Sequence, residues 1–355
     1  MKANLKVSDF AKAIKLCVVA LEPKDMIRSN IQFEAENDVM KVRATNSSYS
    51  LEYTVPCDVK EEGIATVDGK MAYSVMAKAS GECTILSDDK SLTIKTSGRT
   101  KLANINKDLP MIENTKGKIV SFDSVEFKNA IEKIDYAISE DQSRLILTGA
   151  HIVTDGTSAV ITALDGFRLA QTKIPCNGDS IDIVVPSKIL SSVCDAISDG
   201  ELIITSNGIH VSIDGENFHI NAVILSGTYI DTDRIIPKDF KTNVLLKTAG
   251  LKDCTDSATV ASGSSNLVKF QIANDRIAIM SNSEGADFQG DIDAMVDGEE
   301  LSIAFNLKYL IQTLAHIDTE QCELKFNTSV SPVIIVPHAE NRDDLHLILP
   351  VRLFA

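Results

Sequence analysis

The feature that most constrains this chain is a plan repeated three times along its 355 residues. Val67-Asp-Gly-Lys-Met-Ala-Tyr-Ser-Val-Met, Val185-Pro-Ser-Lys-Ile-Leu-Ser-Ser-Val-Cys and Phe305-Asn-Leu-Lys-Tyr-Leu-Ile-Gln-Thr-Leu align without a gap, 118 and 120 residues apart. Each reads as a strand end, a capping or Pro-containing break, and an amphipathic helix. Asp68 and Asn306 are the candidate N-caps, with Ser187 a weaker one. A second set precedes it in each copy, Phe10-Ala-Lys-Ala-Ile, Phe127-Lys-Asn-Ala-Ile and Leu246-Lys-Thr-Ala-Gly, at spacings of 117 and 119 residues. Between the helices lie alternating runs joined by turn signals such as Asn207-Gly208 and Asp214-Gly215. Each copy therefore reads helix, strands, helix, strands. The expected class is α+β, with two helices packed on antiparallel sheets in each of three repeated domains, 1–115, 116–240 and 241–355.

Length alone already favours two or three cores over one. No apolar run approaches the roughly 18 residues of a membrane helix. The N-terminal run Leu16 to Leu21, followed by Glu22, reads as a helix face rather than a secretory signal. The seven cysteines are scattered with no Cys-x-x-Cys pair, which points to reduced core thiols and a cytoplasmic protein. The Asn-x-Ser/Thr triplets at Asn46 and Asn327 are then chance occurrences.

Net charge is −15, which taken whole argues against a nucleic-acid partner. Its distribution tells more. Over the helical windows 8–22, 68–80, 124–140, 187–198, 243–257 and 306–316 there are 10 lysines, no arginine and 10 acidic residues. The whole deficit therefore lies in strands and loops. Lys70, Lys188 and Lys308 recur at one repeat position, in the first turn of a helix, where the macrodipole mildly disfavours a cation. Either they are solvated lysines kept through duplication, or they form a row of hydrated point charges facing a polyanion. Lys128 and Lys247 coincide in the other alignment.

The six histidines, at 151, 210, 219, 316, 338 and 346, lack metal-ligand spacing, and structural roles are expected for them. No Gly-rich phosphate loop, Gly-x-Ser-x-Gly or His-Glu-x-x-His occurs. Nothing in the chain points to an active site, a metal or a cofactor. One stretch stands out instead, Ala163 to Gln171, "ALDGFRLAQ". Asp165-Gly166 is a hairpin turn, and Phe167 and Arg168 follow at once. Plain strand alternation would put Phe167 and Leu169 inward and Arg168 in water; a binding role is the other reading.

The triple repeat, "TALDGFRLA", "FNLKYL" and the terminal "LILPVRLFA" together resemble the bacterial replicative sliding clamps, the beta subunits of DNA polymerase III. The resemblance runs from Met1 to Ala355 and is weakest between residues 22 and 60. It implies a non-enzymatic processivity factor, a head-to-tail homodimer whose six domains close a ring around double-stranded DNA. The helices would line the hole, and the candidate DNA-facing residues are Lys12, Lys15, Lys70, Lys78, Lys128, Lys188, Lys247 and Lys308. It further implies an apolar groove that takes short linear motifs from polymerase, clamp loader and repair proteins. Carried over residue by residue, the groove is Leu147, Leu164, Gly166, Phe167, Arg168 and Leu169, with Arg234 and Ile235 from the junction to the third domain. Asn306, Tyr309 and Val330 come from that domain, and Leu347, Leu349, Pro350, Val351, Arg352 and Leu353 from the tail. Leu102 matches an apolar position of the dimer seam.

This chain departs from the family pattern at several of these positions. Phe167 stands where His is common, Leu164 where Thr is common, Ile230 for a proline and Pro332 for a serine. Asn104 occupies a usually apolar seam position, and Phe354 and Ala355 extend past Leu353. The substitutions make the groove more apolar and leave its partner motif open. They also keep alive an alternative function, a peptide-binding scaffold of the same fold that does not encircle DNA.

Overall fold

Helices form where the repeats place them: α1 (Val7–Val19), α2 (Gly69–Met76), α3 (Ser124–Ile134), α4 (Ser187–Ala196), α5 (Thr248–Ser262) and α6 (Leu307–Ala315). They are seen in a computed structural model that describes residues 1–340 and 342–352. The Asp68 carboxylate accepts the Met71 N–H (2.8 Å) at the start of α2, and Asn306 Oδ1 accepts the Lys308 N–H (3.0 Å) at the start of α6. Ser187 does not cap α4; that helix starts directly after Pro186 with no side-chain cap. Proline is suited to such an entry because its φ is fixed and its missing N–H is not needed.

One helix departs from the expected register. Residues 243–247 of the window 243–257 belong to the strand Thr242–Lys247, and the helix begins at Thr248. Counted from the helix starts, Leu251 and not Leu246 matches Phe10 and Phe127. All three are the fourth residue of their helix and fully buried. Strand and helix both bury alternate apolar residues here, so Val244 and Leu246 imitate the start of a helical stripe. The window 124–140 is also interrupted, since α3 stops at Ile134 and a 3₁₀ turn follows over Asp135–Ala137.

The chain packs as two compact units, one holding residues 1–128, 154–157 and 175–225, the other the remainder. The first unit draws together two of the repeated segments because one sheet runs through both. Strand Phe218–Val223 pairs antiparallel with Tyr49–Pro56, with Phe218 opposite Tyr53 and Ile220 opposite Leu51. A nine-stranded sheet results, beside a five-stranded one in the order Asp58–Glu61, Lys2–Lys6, Glu82–Ser87, Ser91–Lys95, Arg99–Ala103. Helix α1 lays Phe10, Ala13, Ile14 and Cys17 on this unit's core at helical spacing. The Phe10 ring meets Phe33 at 5.1 Å, and Phe127 of α3 meets Phe122 at 5.2 Å.

In the second unit the strands run Gly149–Thr154, Ser158–Leu164, Arg168–Pro175, Leu345–Ile348, Val333–Pro337, Gln321–Phe326, Thr242–Lys247, Asp287–Gly298, Arg276–Asn282, Leu267–Ala273 and Leu301–Asn306. Leu251 and Ala258 of α5 and Leu310 and Leu314 of α6 close its core over Phe270 and Phe305. All seven cysteines are free thiols, and burial raises the pKa of Cys57 and Cys83 to about 11. Among the described residues no helix is long and apolar enough to cross a membrane.

Candidate functional site

The Asp165-Gly166 turn is built by its own side chains. Gly166 has φ +94°, a conformation that costs a side chain but not glycine. One oxygen of Asp165 accepts the N–H groups of Phe167 (2.8 Å) and Arg168 (3.0 Å), and the other accepts Nε of Arg168 (3.0 Å). The strand that leaves the turn pairs with the C-terminal strand, Arg168 opposite Ile348 and Leu169 opposite Leu347. Beyond the strand, the Leu349 N–H donates to the Phe167 carbonyl (2.9 Å) and the Val351 N–H to the Ala304 carbonyl (2.8 Å). The tail is thus tied to the turn on one side and to strand Leu301–Asn306 on the other.

Plain alternation fails at this point. Arg168 is only 9 % exposed whereas Phe167 is 53 % exposed, the reverse of what a simple strand would show. The guanidinium lies between two rings, 5.0 Å from the Tyr136 centroid and 4.8 Å from that of Tyr309. Its Nη1 donates to Gln312 Oε1 (2.6 Å) while Nε holds Asp165. A charge this deep persists only when carboxylate, amide and π-faces replace its water together. Phe167 lies flat on Tyr309, with centroids 5.8 Å and planes 23° apart.

Tyr136 and Gln312 hold the site without having been predicted. The available signal was on α6, where Tyr309, Gln312 and His316 recur at helical spacing. Tyr136 stacks on His316 (4.5 Å), and its hydroxyl shares a 2.9 Å hydrogen bond with Nδ1 of His346. Burial depresses the His346 pKa to about 4, and its Nε2 has no hydrogen-bond partner among the described residues. Alongside, buried Asp344 accepts from Lys133 (2.8 Å), Thr172 (2.6 Å) and Arg342 (3.2 Å). Burial alone would raise its pKa, but the bonds from Lys133 and Thr172 outweigh that and hold it below the usual range.

The remaining groove residues divide by exposure. Phe167, Val330, Leu349 and Val351 present apolar surface to solvent. A cavity of about 340 Å³ opens beside them, lined by Ser302, Ile303, Ala304, Ser329, Val330, Val351 and Arg352. Leu147, Leu164, Leu169 and Leu347 are buried. They belong to the core beneath this surface: Leu147 ends the 3₁₀ segment Gln142–Leu147, and Leu164, Leu169 and Leu347 lie in strand stretches buried at successive positions. Pro350 is half-buried, and Asn306 is engaged as the α6 cap. Ile235 is exposed, and Arg234 pairs with Asp231 (2.8 Å) at its own 3₁₀ turn, Thr232–Arg234. Leu353 lies outside the described residues.

Of the lysines, Lys12, Lys15, Lys70, Lys78, Lys188, Lys247 and Lys308 are exposed and Lys128 is half-buried. Lys70, Lys188 and Lys308 are each the second residue of α2, α4 and α6. With α5 starting at Thr248, the partner of Lys128 in the repeat is Lys252, which donates to the Ile317 carbonyl (2.8 Å), and not Lys247. Leu102, on the edge strand Arg99–Ala103, is 7 % exposed. It is turned into its own sheet, so the seam position inferred for it offers little free apolar surface.

Helix pairs packed on antiparallel sheets and repeated along the chain, with a turn and tail that frame a groove, mark a clamp-type α+β protein. Residues 121–231 match the family model for the central domain of the DNA polymerase III beta subunit, and residues 233–352 match that for its C-terminal domain. The chain belongs to the DNA polymerase III beta-subunit family. It is 24 % identical over 381 residues to the beta sliding clamp of Staphylococcus aureus, covering 100 % of both chains. The corresponding protein of Staphylococcus epidermidis is 25 % identical over 382 residues, again across 100 % of both. The crystal structure of the Thermotoga maritima beta subunit superposes with a TM-score of 0.92 at 22 % identity, covering 99 % of this chain and 100 % of that one. The sliding clamp of Bacillus subtilis gives 0.90 at 23 % identity over 100 % of each.

Proposed function

We propose that the chain is a DNA sliding clamp, a processivity factor that encircles duplex DNA as a head-to-tail homodimer and catalyses nothing. In this reading each subunit supplies three modules, 1–115, 116–240 and 241–355, and works in the cytoplasm. The observation that carries it is the end-to-end match to proteins named beta sliding clamp. Open strand edges support pairing between subunits. Among the described residues Arg99–Ala103 ends its sheet, and residues 287–293 pair on one side only, with 276–282. Such edges seek a partner strand. Exposed lysines at one equivalent position of α2, α4 and α6 suit loose, salt-sensitive phosphate contact of the kind that permits sliding.

The surface formed by Phe167, Tyr309, Val330, Leu349, Val351 and Arg352 is then the docking groove for short linear motifs of polymerase, clamp loader and repair proteins. Its apolar anchors beside a few fixed polar groups fit peptide recognition. The decisive experiment loads the protein onto nicked circular plasmid DNA with a clamp loader. Retention on the circle and release upon linearisation are expected. Release that ignores DNA topology would overturn the clamp reading in favour of a peptide-binding scaffold.

A further inference from the structure

Residues 104–116, which lead from the first repeat to the second, form neither strand nor helix. They cross the nine-stranded sheet where Tyr49–Pro56 pairs with Phe218–Val223, and polar side chains of that sheet hold them. Thr66, Gln32, Arg43, Glu52, His219 and Asp214 stand opposite one another in turn across six strands. Ser50, Asn221 and Ser212 form the next row, two residues along each strand and therefore on the same face. Thr66, Gln32, Ser50, Asn221 and Ser212 are buried although polar, and each bonds the crossing segment. Thr66 Oγ1 donates to the Lys107 carbonyl (2.8 Å) and Gln32 Nε2 to Asp108 Oδ1 (3.4 Å). The Ile112 N–H donates to Ser50 Oγ (2.7 Å), and the Thr115 N–H to Ser212 Oγ (2.7 Å). Asn221 Nδ2 donates to the Ile112 carbonyl (3.1 Å). An irregular segment has no ladder of its own, so these side chains satisfy its backbone.

His219 is the side chain of these rows whose charge ordinarily changes near neutral pH. Its Nδ1 is bonded to an oxygen of Asp214. Its Nε2 lies between a donor and an acceptor, Asn221 Nδ2 at 2.7 Å and Asn114 Oδ1 at 2.9 Å. A neutral ring with its proton on Nδ1 accepts from Asn221, and its lone pair faces the Asn114 oxygen. A second proton makes Nε2 a donor, and the oxygen it then reaches belongs to the crossing segment. Protonation thus moves the ring's bond from the sheet to the segment. The bond to Asp214 raises the His219 pKa, partial burial opposes this, and the charge of Glu52 and the Asn221 amide add to the rise. Glu52 is itself bonded to Arg43, which also holds Glu34. The segment's own charges, Lys107, Asp108, Glu113 and Lys116, are exposed and balance.

We propose that residues 104–116 are a strap across the joint between the first two repeats, and that protonation of His219 tightens it. The added grip is complete below about pH 6.5 and is lost as the pH rises through the raised pKa of the folded chain. The strap lies outside the peptide groove and is independent of any binding to DNA.

Hydrogen–deuterium exchange of the intact protein at about pH 6 and pH 8.5, corrected for intrinsic exchange rates, tests the strap. Amides of residues 104–116 should be at least about threefold better protected at the lower pH, while those of α2 show no such difference. In His219→Gln, which keeps a neutral hydrogen-bonding side chain, that ratio should fall to about one. Asn114→Ala removes the oxygen that the imidazolium reaches, so the ratio should fall there as well. Carbon-13 histidine labelling should still show His219 titrating above about pH 6.5 in the Asn114→Ala protein. Equal protection at both pH values in the native chain would overturn the proposal, and so would a ratio that persists in either variant. A change of the same size in α2 would overturn it too, since the whole unit and not the strap would then be opening. A His219 that titrates at or below its ordinary pKa would remove the proton from the device and overturn it likewise.

Discussion

Arg168 shows how far the surroundings of one residue can invert its ordinary tendency. Its guanidinium is delocalised and weakly hydrated, and it fits flat between Tyr136 and Tyr309 while reaching Asp165 and Gln312. A lysine could not fill that slot. The neighbouring His346 behaves in the opposite way, being kept neutral by burial, with Asp344 favouring its charge and Lys133 and His316 opposing it. The pKa of His346 falls from about 6.5 in an unfolded chain to about 4 in the fold. Between those values the unfolded chain binds the extra proton, so falling pH favours unfolding. Full stability stands above pH 6.5, and about 3 kcal/mol is lost by pH 4 through this group. Urea unfolding midpoints should therefore drop across that window in the native protein and drop less in His346→Gln. Parallel profiles for the two would refute the assignment. Asp344, whose pKa is depressed, adds its own loss only at lower pH.

Elements follow local rules closely where their ends carry side-chain caps. Asp68 and Asn306 close their helices as the residue types dictate, whereas α4 enters through Pro186 and leaves Ser187 without a capping bond. Asp68→Ala should cost about 1 kcal/mol in urea unfolding, while Ser187→Ala should stay within about 0.5 kcal/mol. An equal loss from both would mean that capping is not what Asp68 supplies. The slip at α5 has a related cause. A strand that buries alternate residues meets a helix directly at Thr248, and no glycine or proline separates them. With no punctuation, the apolar pattern alone assigned the helix five residues too early.

At the scale of the molecule, the net charge of −15 and the lysines at the heads of α2, α4 and α6 are two parts of one electrostatic design under the clamp proposal. An acidic exterior discourages adventitious binding, and a few cations at equivalent positions leave weak attraction where DNA would pass. Converting Lys70, Lys188 and Lys308 together to Glu should shorten retention on nicked circles several-fold at low salt. The difference from the native protein should shrink as salt rises and screening takes over. Retention unchanged at low salt would show that these lysines are ordinary solvated residues. Exposed as all three are, the triple variant is expected to keep the native circular dichroism.

What the chain determined by itself was everything carried over short distances. The positions of the helices other than α5, the caps at Asp68 and Asn306, and the Asp165-Gly166 turn all follow from neighbours within a few residues, and the period near 118 residues is the recurrence of such local patterns. The resemblance brought the turn and tail together in one groove, and their direct linkage is seen in the Leu349 to Phe167 hydrogen bond. Only the tertiary structure decided which side chains of that groove are open. Arg168 is buried because Gln312, 144 positions away, and the rings of Tyr136 and Tyr309 complete its shell. Leu169 and Leu347, opposite each other across 178 positions, are buried for the same kind of reason. Burial is set by what a strand packs against, and the partners that set it here lie far along the chain, where local pattern carries no information.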